Sequence, residues 1–427
     1  MGFQQKQARK DNVLSRRSML QYLFHQAVLI GVGTVLYPHT TSATKEDFNN
    51  KFLNCKNTTP ATEFPKSLAN NLKQLGPLQG PDQNGVRLPK GFKSRIVAES
   101  GKAPSGSSYI WHGAPDGGAV YAKNDGGWIY VSNSELSDGN GGVGALEFAS
   151  DGKVINAYSI LNNTSRNCAG GITPWNTWLS CEEFEDGQVW ECDPYGIKSP
   201  TVYPALGCFN HEAVAVDPLK QQLYLTEDKP DGRLYRFTPK SYPNLTSGIL
   251  EVLRIVAAES GTTEWLKIPD PTAVTLATRN QVPSSTPFNG GEGIWYHSGI
   301  VYFSTKGDNR VWAYETVSGV LNVIYDQNFS STPILSGVDN LTVSPAGDIL
   351  VAEDGGDLEI VVIGTDGVIA PVVQLVGHDN SEITGPAFSP HFDRLYFSSQ
   401  RGTKGLLNFW DHDSGITFEI QGPFFNI

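Results

Sequence analysis

From Tyr109 onward, apolar and polar positions alternate in short runs cut by turn residues. The runs include Ala119-Val-Tyr-Ala, Asp125-Gly126-Gly127, Trp128-Ile-Tyr-Val-Ser, Gly144-Ala-Leu-Glu-Phe, Asp151-Gly152 and Val154-Ile-Asn-Ala-Tyr. Period-two alternation bounded by Gly, Asp and Asn predicts short strands joined by tight turns. The same phrase then recurs. Glu212-Ala-Val-Ala-Val-Asp-Pro leads to Leu223-Tyr-Leu-Thr-Glu-Asp, Glu292-Gly-Ile-Trp-Tyr to Val301-Tyr-Phe-Ser-Thr-Lys, and Asp339-Asn-Leu-Thr-Val-Ser-Pro to Ile349-Leu-Val-Ala-Glu-Asp. Thr384-Gly-Pro-Ala-Phe-Ser-Pro, followed by Leu395-Tyr-Phe-Ser-Ser-Gln, is a further copy.

The copies beginning at Glu292, Asp339 and Thr384 lie 47 and 45 residues apart. Several strands per period of that length are the mark of an all-β fold, a β-propeller, which sandwiches and barrels do not predict. Units beginning near Tyr109, Gly170, Glu212, Glu292, Asp339 and Thr384 predict a six-bladed β-propeller over residues 109–427, with five or seven blades open as alternatives. Residues 240–288 exceed one period and read as an insertion across one face; residues 44–108 read as a polar lead-in with a short helix around 64–75.

The N-terminus follows another pattern. Lys6, Arg9 and Lys10 precede Ser15-Arg16-Arg17-Ser18-Met19-Leu20 and an apolar run to Tyr37, then Thr41-Ser42-Ala43. This is a twin-arginine export signal over residues 1–43, interrupted by His25 and Gln26 and so expected to leave no stable membrane span. It implies passage through the twin-arginine translocase, a route for folded and often metal-loaded proteins, and a periplasmic or extracellular location. Removing it takes away five positive charges and one negative, moving the net charge from −12 to −16. No polybasic face remains, so nucleic-acid binding is excluded as a function class. Acidic excess suits an exported, monomeric protein that binds cations, and ordinary solubility explains it equally.

A propeller relates equivalent positions by rotation about its axis, so a residue type repeated at one position forms a ring. Here the repeated positions are acidic: Glu135, Glu182, Glu212, Glu227, Glu292, Asp339 and Glu353. Glu is depleted in strands, and carboxylates brought together need cations to offset their repulsion. Hard oxygen ligands favour calcium, while Cys168, next to the flexible Gly170-Gly171, adds a soft ligand that favours iron or zinc. Cys181 and Cys192 flank the turn Glu185-Asp186-Gly187 and are expected to face each other as a cross-strand disulfide. No Gly-x-Ser-x-Gly elbow, Walker loop or His-Glu-x-x-His motif is present. His211 is noted because it precedes Glu212.

At these residues the chain resembles the PhoX-type alkaline phosphatases. The matching phrases are Asn167-Cys168-x-Gly-Gly-x-Thr-Pro-Trp-x-Thr-Trp-x-x-x-Glu182-Glu183, Asn210-His211-Glu212-Ala213, Thr226-Glu227-Asp228, Glu292-Gly293-Ile294-Trp295, Val338-Asp339-Asn340, Ala352-Glu353-Asp354 and Glu382-x-Thr-Gly ending at Gln400. The resemblance implies a six-bladed propeller with iron and calcium on its axis, hydrolysing small-molecule phosphomonoesters. It assigns Cys168 as an iron ligand and Glu182, Glu212, Glu227, Glu292 and Glu353 to the metal-holding set. One departure stands out: where larger members show Asn-His-Glu, this chain has Asn133-Ser134-Glu135. Arg166, Lys306 and Asn340 are the candidates for basic or hydrogen-bonding help in catalysis. A calcium-dependent lactonase or esterase, or a non-catalytic cation-binding propeller, are the alternatives; surplus acids and Cys168 argue against the first.

Overall fold

The computed structural model describes residues 68, 75–256, 259–329, 333–403 and 414–425. The expected signal segment and most of the expected helix around 64–75 lie outside the described residues. Leu68 and Leu75 are described; both are helical and buried against Val86 and Leu350.

Alternating patterns become antiparallel meanders. Strands Pro115–Ala122, Trp128–Ser134, Gly141–Phe148 and Val154–Thr164 form one four-stranded sheet. Asn167–Ile172, Trp178–Glu182, Val189–Cys192 and Thr201–Val202 form the next. A nine-stranded sheet follows, with His211–Asp217 at one edge and Gly291–His297 at the other. Val338–Val343 and Ile383–Phe388 begin the last two sheets. These six starting strands lie side by side in a ring that closes, Ile383–Phe388 packing against Pro115–Ala122. The architecture is all-β and propeller-like.

Two expectations about the flanking segments are replaced by a more integrated picture. Within 240–288, Asn244–Ile255 and Gly261–Lys267 are strands of the nine-stranded sheet, and Gly261 pairs with Leu321 to join its two halves. The lead-in also enters the fold: Lys93–Glu99 pairs with Ile416–Gln421 in the last sheet, and Val86–Arg87 pairs with Leu375 and Gln374. The ring is therefore closed by a strand from the start of the described chain lying beside one from its end.

That closure is held by aromatic packing. Trp111, Trp128, Tyr130, Phe148 and Tyr396 are almost fully buried in one cluster between the first and last sheets. Trp128 Nε1 donates to Tyr396 Oη at 3.0 Å, and the Tyr130 and Tyr396 rings stack with centroids 5.3 Å apart. Burying each ring contributes on the order of 2–3 kcal/mol, and the hydrogen bond satisfies the indole donor that burial would otherwise strand.

Candidate functional site

Every starting strand carries the same irregularity. The registers slip between Pro115 and Gly118, Asn167 and Gly170, His211 and Val214, Gly291 and Ile294, Val338 and Leu341, and Thr384 and Ala387. Two residues in each are thus left out of the ladder, a bulge that re-aims a side chain. The first bulged residue is Asp116, Cys168, Glu212, Glu292, Asp339 or Gly385. The second is small in most units because neighbouring backbones crowd the axis: a Cβ on Gly117 would lie 2.5 Å from Ala169 Cα, and one on Gly293 2.5 Å from Leu341 N.

A second ring comes from the residue just after each second strand: Glu135, Glu183, Asp228, Lys306, Asp354 and Gln400. In all six units the N–H of that residue donates to the carbonyl preceding the starting strand, at Ala114, Arg166, Asn210, Gly290, Gly337 and Glu382, over 2.7–3.3 Å. Ala114, Arg166, Gly290 and Gly337 adopt positive φ there, turning the chain into the bulge. Local backbone geometry therefore presents two side chains per unit to one place.

Together the rings and Glu382 bring eight carboxylates and one thiol into overlapping groups whose ligand atoms lie within 4.8 Å of one another. The groups are Asp116/Glu135/Cys168, Cys168/Glu183/Glu212, Glu212/Glu292/Asp339 and Asp339/Asp354/Glu382. The Cys168 thiol donates to Glu212 Oε1 at 3.3 Å. Gln400 Nε2 donates to Asp116 Oδ2 at 2.7 Å and to Glu135 Oε2 at 2.6 Å. Lys306 Nζ lies 2.9 Å from Glu292 and 3.4 Å from Asp354, and Arg401 lies 2.8 Å from Glu382.

Burial, then mutual repulsion, holds several of these acids on their protons. Asp116, Glu212 and Glu382 are pushed well above the usual carboxylate range by desolvation and by neighbouring acids. Glu183 is pushed up to about 8 by burial, then by Glu135 and Asp228. Burial raises Asp339 to about 6 against the pull of Lys306. The Cys168 thiol is raised by desolvation and the acids around it. For Lys306, burial opposes the charge but Glu292, Asp339, Asp354 and Asp228 outweigh it, so the ammonium is held more firmly than usual. Two cationic side chains against eight carboxylates, with one sulfur among the oxygens, form a donor set that fits metal cations of mixed hardness.

Of the residues singled out in the sequence, Glu135, Cys168, Glu212, Glu292 and Asp339 meet in this cluster; Glu182, Glu227 and Glu353 do not. Each of the latter is the last residue of its second strand, one position before the ring. Side chains alternate along a strand, so a one-residue step reverses their direction. Glu182 accepts from the N–H groups of Ser165 and Gln188 at 3.2 and 3.3 Å, and Glu353 from Ser336 and Glu359 at 2.7 and 3.0 Å. The shared offsets reveal a repeated turn-holding role, so a Glu ending an apolar strand does have a structural use here. Glu227 instead accepts from Tyr235 Oη at 2.7 Å and pairs with Arg279 at 3.2 Å.

Other placements follow the same backbone logic. Lys306 belongs to the second ring. Asn340 donates from Nδ2 to Asp339 Oδ1 at 2.8 Å while its Oδ1 accepts from Gly385 N at 3.0 Å, so it orients an acid across two units. Arg166 contributes its carbonyl to the ring while its side chain lines a cavity at the rim. His211 is buried, with Nε2 3.1 Å from Gly207 O and its ring against Phe209, and burial lowers it to about 3. The cross-strand Cys181–Cys192 pair does not form: Cys181 sits opposite Val189 and Cys192 opposite Trp178, and the two pack into different clusters. Asn133 donates to the carbonyls of Cys168 and Ala169, at 2.9 and 2.7 Å, and Ser134 donates to Gly113 O, so Ser134 is spent on the backbone. Asp116, Glu183, Asp354, Glu382, Gln400 and Arg401 escaped the sequence assignment. The available signal was the polar residue following each apolar strand, read one position too early.

The alkaline phosphatase PhoX family model matches residues 132–190 and 185–328, spanning Glu135, Cys168, Glu183, Glu212, Glu292 and Lys306. No curated protein matches significantly. Among solved structures, Pseudomonas fluorescens PhoX in complex with vanadate, a transition state analogue, is similar with a TM-score of 0.65 at 16% identity, covering 81% of this chain and 97% of that one. A Bacteroides thetaiotaomicron structural genomics protein of unknown function has a TM-score of 0.50 at 11% identity, covering 81% and 83%. A Xanthomonas campestris gluconolactonase has a TM-score of 0.46 at 14% identity, covering 81% and 98%. The family match through the site and the shared propeller-like fold bear out the resemblance of this chain to the PhoX-type alkaline phosphatases.

Proposed function

We propose that this chain is a metal-dependent hydrolase of phosphate monoesters, acting as a monomer on the axis of a six-bladed propeller after export by residues 1–43. One observation carries the reading: two rings of acids and a thiol, built by six equivalent bulges, converge with only Lys306 and Arg401 as internal counter-charge among the described residues. The six repeated ring hydrogen bonds support the blade count.

A bare ring of carboxylates repels a phosphate dianion, so the sign of the site has to be inverted before substrate enters. Bound cations supply that positive potential together with Lewis acidity toward phosphate oxygens. Asp116, Glu135, Cys168, Glu183 and Glu212 form the half suited to iron, because it contains the sulfur; Glu292, Asp339, Asp354 and Glu382 form an all-oxygen half suited to calcium.

In the reaction, water oxygen bonds to phosphorus, the phosphorus–ester oxygen bond breaks, and the alcohol leaves with a proton from the water. Lys306 keeps a fixed positive charge at the axis to stabilise phosphate charge. Asn340 orients Asp339, and Gln400 ties Asp116 to Glu135, so both are positioning residues. Arg166 waits at the rim to receive the rest of the ester.

Metal analysis combined with p-nitrophenyl phosphate turnover tests this reading. Iron and calcium are expected to accompany turnover, and both are expected to disappear on chelation. Calcium without iron, and no phosphatase activity, would reject it.

A further inference from the structure

We infer that the cavity beside the axial cluster is a leaving-group pocket for phosphate monoesters whose alcohol carries a second anionic group. This rests on the phosphatase reading and names the substrate class at that same site. The cavity, about 640 Å³, is walled in part by Arg166, Lys229, Asp138, Glu185, Phe184 and Asn210. It adjoins the second ring through the backbone. Glu183 N donates to Arg166 O at 2.8 Å, Glu183 bridges to Asn210, and Asp228 N donates to Asn210 O at 3.3 Å. A substrate with its phosphate on the axis therefore finds this space next to it, and the volume lies in the range of small-ligand pockets.

The charges in the wall are unevenly spent. Arg166 makes no ion pair among the described residues; its Nε reaches only Ser137 Oγ at 3.4 Å. Lys229 has Glu185 as its carboxylate neighbour at 4.0 Å, and Glu185 is itself held by Arg279 at 2.8 Å. Asp138 and Glu185 are the acids in the wall, and Arg279 offsets Glu185, leaving Asp138 to oppose an incoming anion. An unpaired guanidinium is suited to bidentate capture of a carboxylate or phosphate, with Lys229 as a second point charge.

Asn210 gives an independent sign of a ligand. It is 3% exposed, lines the cavity, and its Oδ1 has no hydrogen-bond partner among the described residues. Buried polar atoms are ordinarily satisfied, and a carbonyl oxygen here calls for a donor such as a substrate hydroxyl. The pocket thus matches a hydroxylated acid bearing the phosphate ester.

The metal-loaded protein is tested with a matched pair, 3-phosphoglycerate and glycerol 3-phosphate, which differ by a carboxylate against a hydroxymethyl group. The value of kcat/KM is expected to be about tenfold higher for 3-phosphoglycerate at low salt. In the Arg166→Gln/Lys229→Gln double variant the ratio should fall to about twofold or less, while Asp138→Asn should raise it; melting temperatures check that each variant is folded. Equal kcat/KM for the two esters in the unaltered protein overturns the pocket and leaves the phosphatase reading standing. If p-nitrophenyl phosphate is turned over but neither ester is, the pocket is overturned; if none of the three is turned over, the phosphatase reading fails, and calorimetric binding of 3-phosphoglycerate decides the pocket. Binding weakened in the double variant supports it; no binding overturns it.

Discussion

The two halves of the axial cluster solve the same electrostatic problem differently. Around Glu292, Asp354 and Glu382 the protein supplies its own cations, Lys306 and Arg401, within 3.4 Å of their carboxylates. Around Cys168, Glu183 and Glu212 no lysine or arginine makes an ion pair among the described residues, and repulsion is relieved chiefly by held protons, as in the Cys168–Glu212 hydrogen bond, with Lys306 acting on Glu183 from farther off. The first half is partly complete as a piece of protein. The second is stable as a deprotonated set only with an external cation, and it holds the sulfur.

The sharpest break in that contrast is Cys168→Ser. The half without cations should lose its metal, with turnover falling on the order of 100-fold or more, beyond what disturbing an outer-shell partner costs; iron content measured beside activity checks this. Unchanged iron would remove Cys168 from the site.

Lys306→Met tests the other half. It strands the buried Glu292 without its ion pair and should destabilise the metal-free protein by about 2 kcal/mol. This is less than for a fully buried pair, because Lys306 keeps 34% of its side chain exposed. Added calcium should restore much of that stability in thermal melts, since one cation would replace another.

pH should act on metal-free protein in an unusual direction. Glu183 in the folded chain titrates near 8 and Asp339 near 6, above ordinary carboxylates near 4. The folded state binds these protons more tightly than the unfolded one, so their stabilising contribution is full below about pH 4. It is lost as pH rises through 6 and then 8. Melting temperature after chelation should therefore fall between pH 5 and 8, and saturating metal should flatten the slope. A flat profile without metal would show that the acids are not coupled as packed here.

The smallest effect separates ring from support. Glu353→Gln replaces one carboxylate oxygen that accepts a backbone N–H, and should cost about 1 kcal/mol with metal content unchanged. Asp354→Asn, one residue later, should alter metal content instead. If the two variants behave alike, the distinction between neighbouring positions is wrong.

That distinction also marks the limit of sequence reading. The 45- and 47-residue spacings made the repeat visible, and with it the all-β, propeller-like fold and the chance of an axial ring. Glu135, Cys168, Glu212, Glu292 and Asp339 were legible because each stands beside an apolar strand in a repeated phrase. Glu183 and Asp354 were hidden behind Glu182 and Glu353, because two adjacent acids look equivalent until the strand register says which faces inward. Asp116 sits in Pro115-Asp116-Gly117-Gly118, which reads as a turn, yet a bulge makes it a strand residue on the axis. Gln400 ends a repeated phrase but is not an acid, and Arg401 carries no pattern of its own.

The sequence by itself determined the repeat, the strand content and the residue types available, since alternation and turn chemistry act between near neighbours. Tertiary structure decided which acids meet. That choice depends on six bulges, on a closure pairing Lys93–Glu99 with Ile416–Gln421, and on backbone approach too tight for a Cβ at Gly117 and Gly293. These are contacts between residues up to hundreds of positions apart, and no local pattern encodes a side chain's direction once a bulge has reset it.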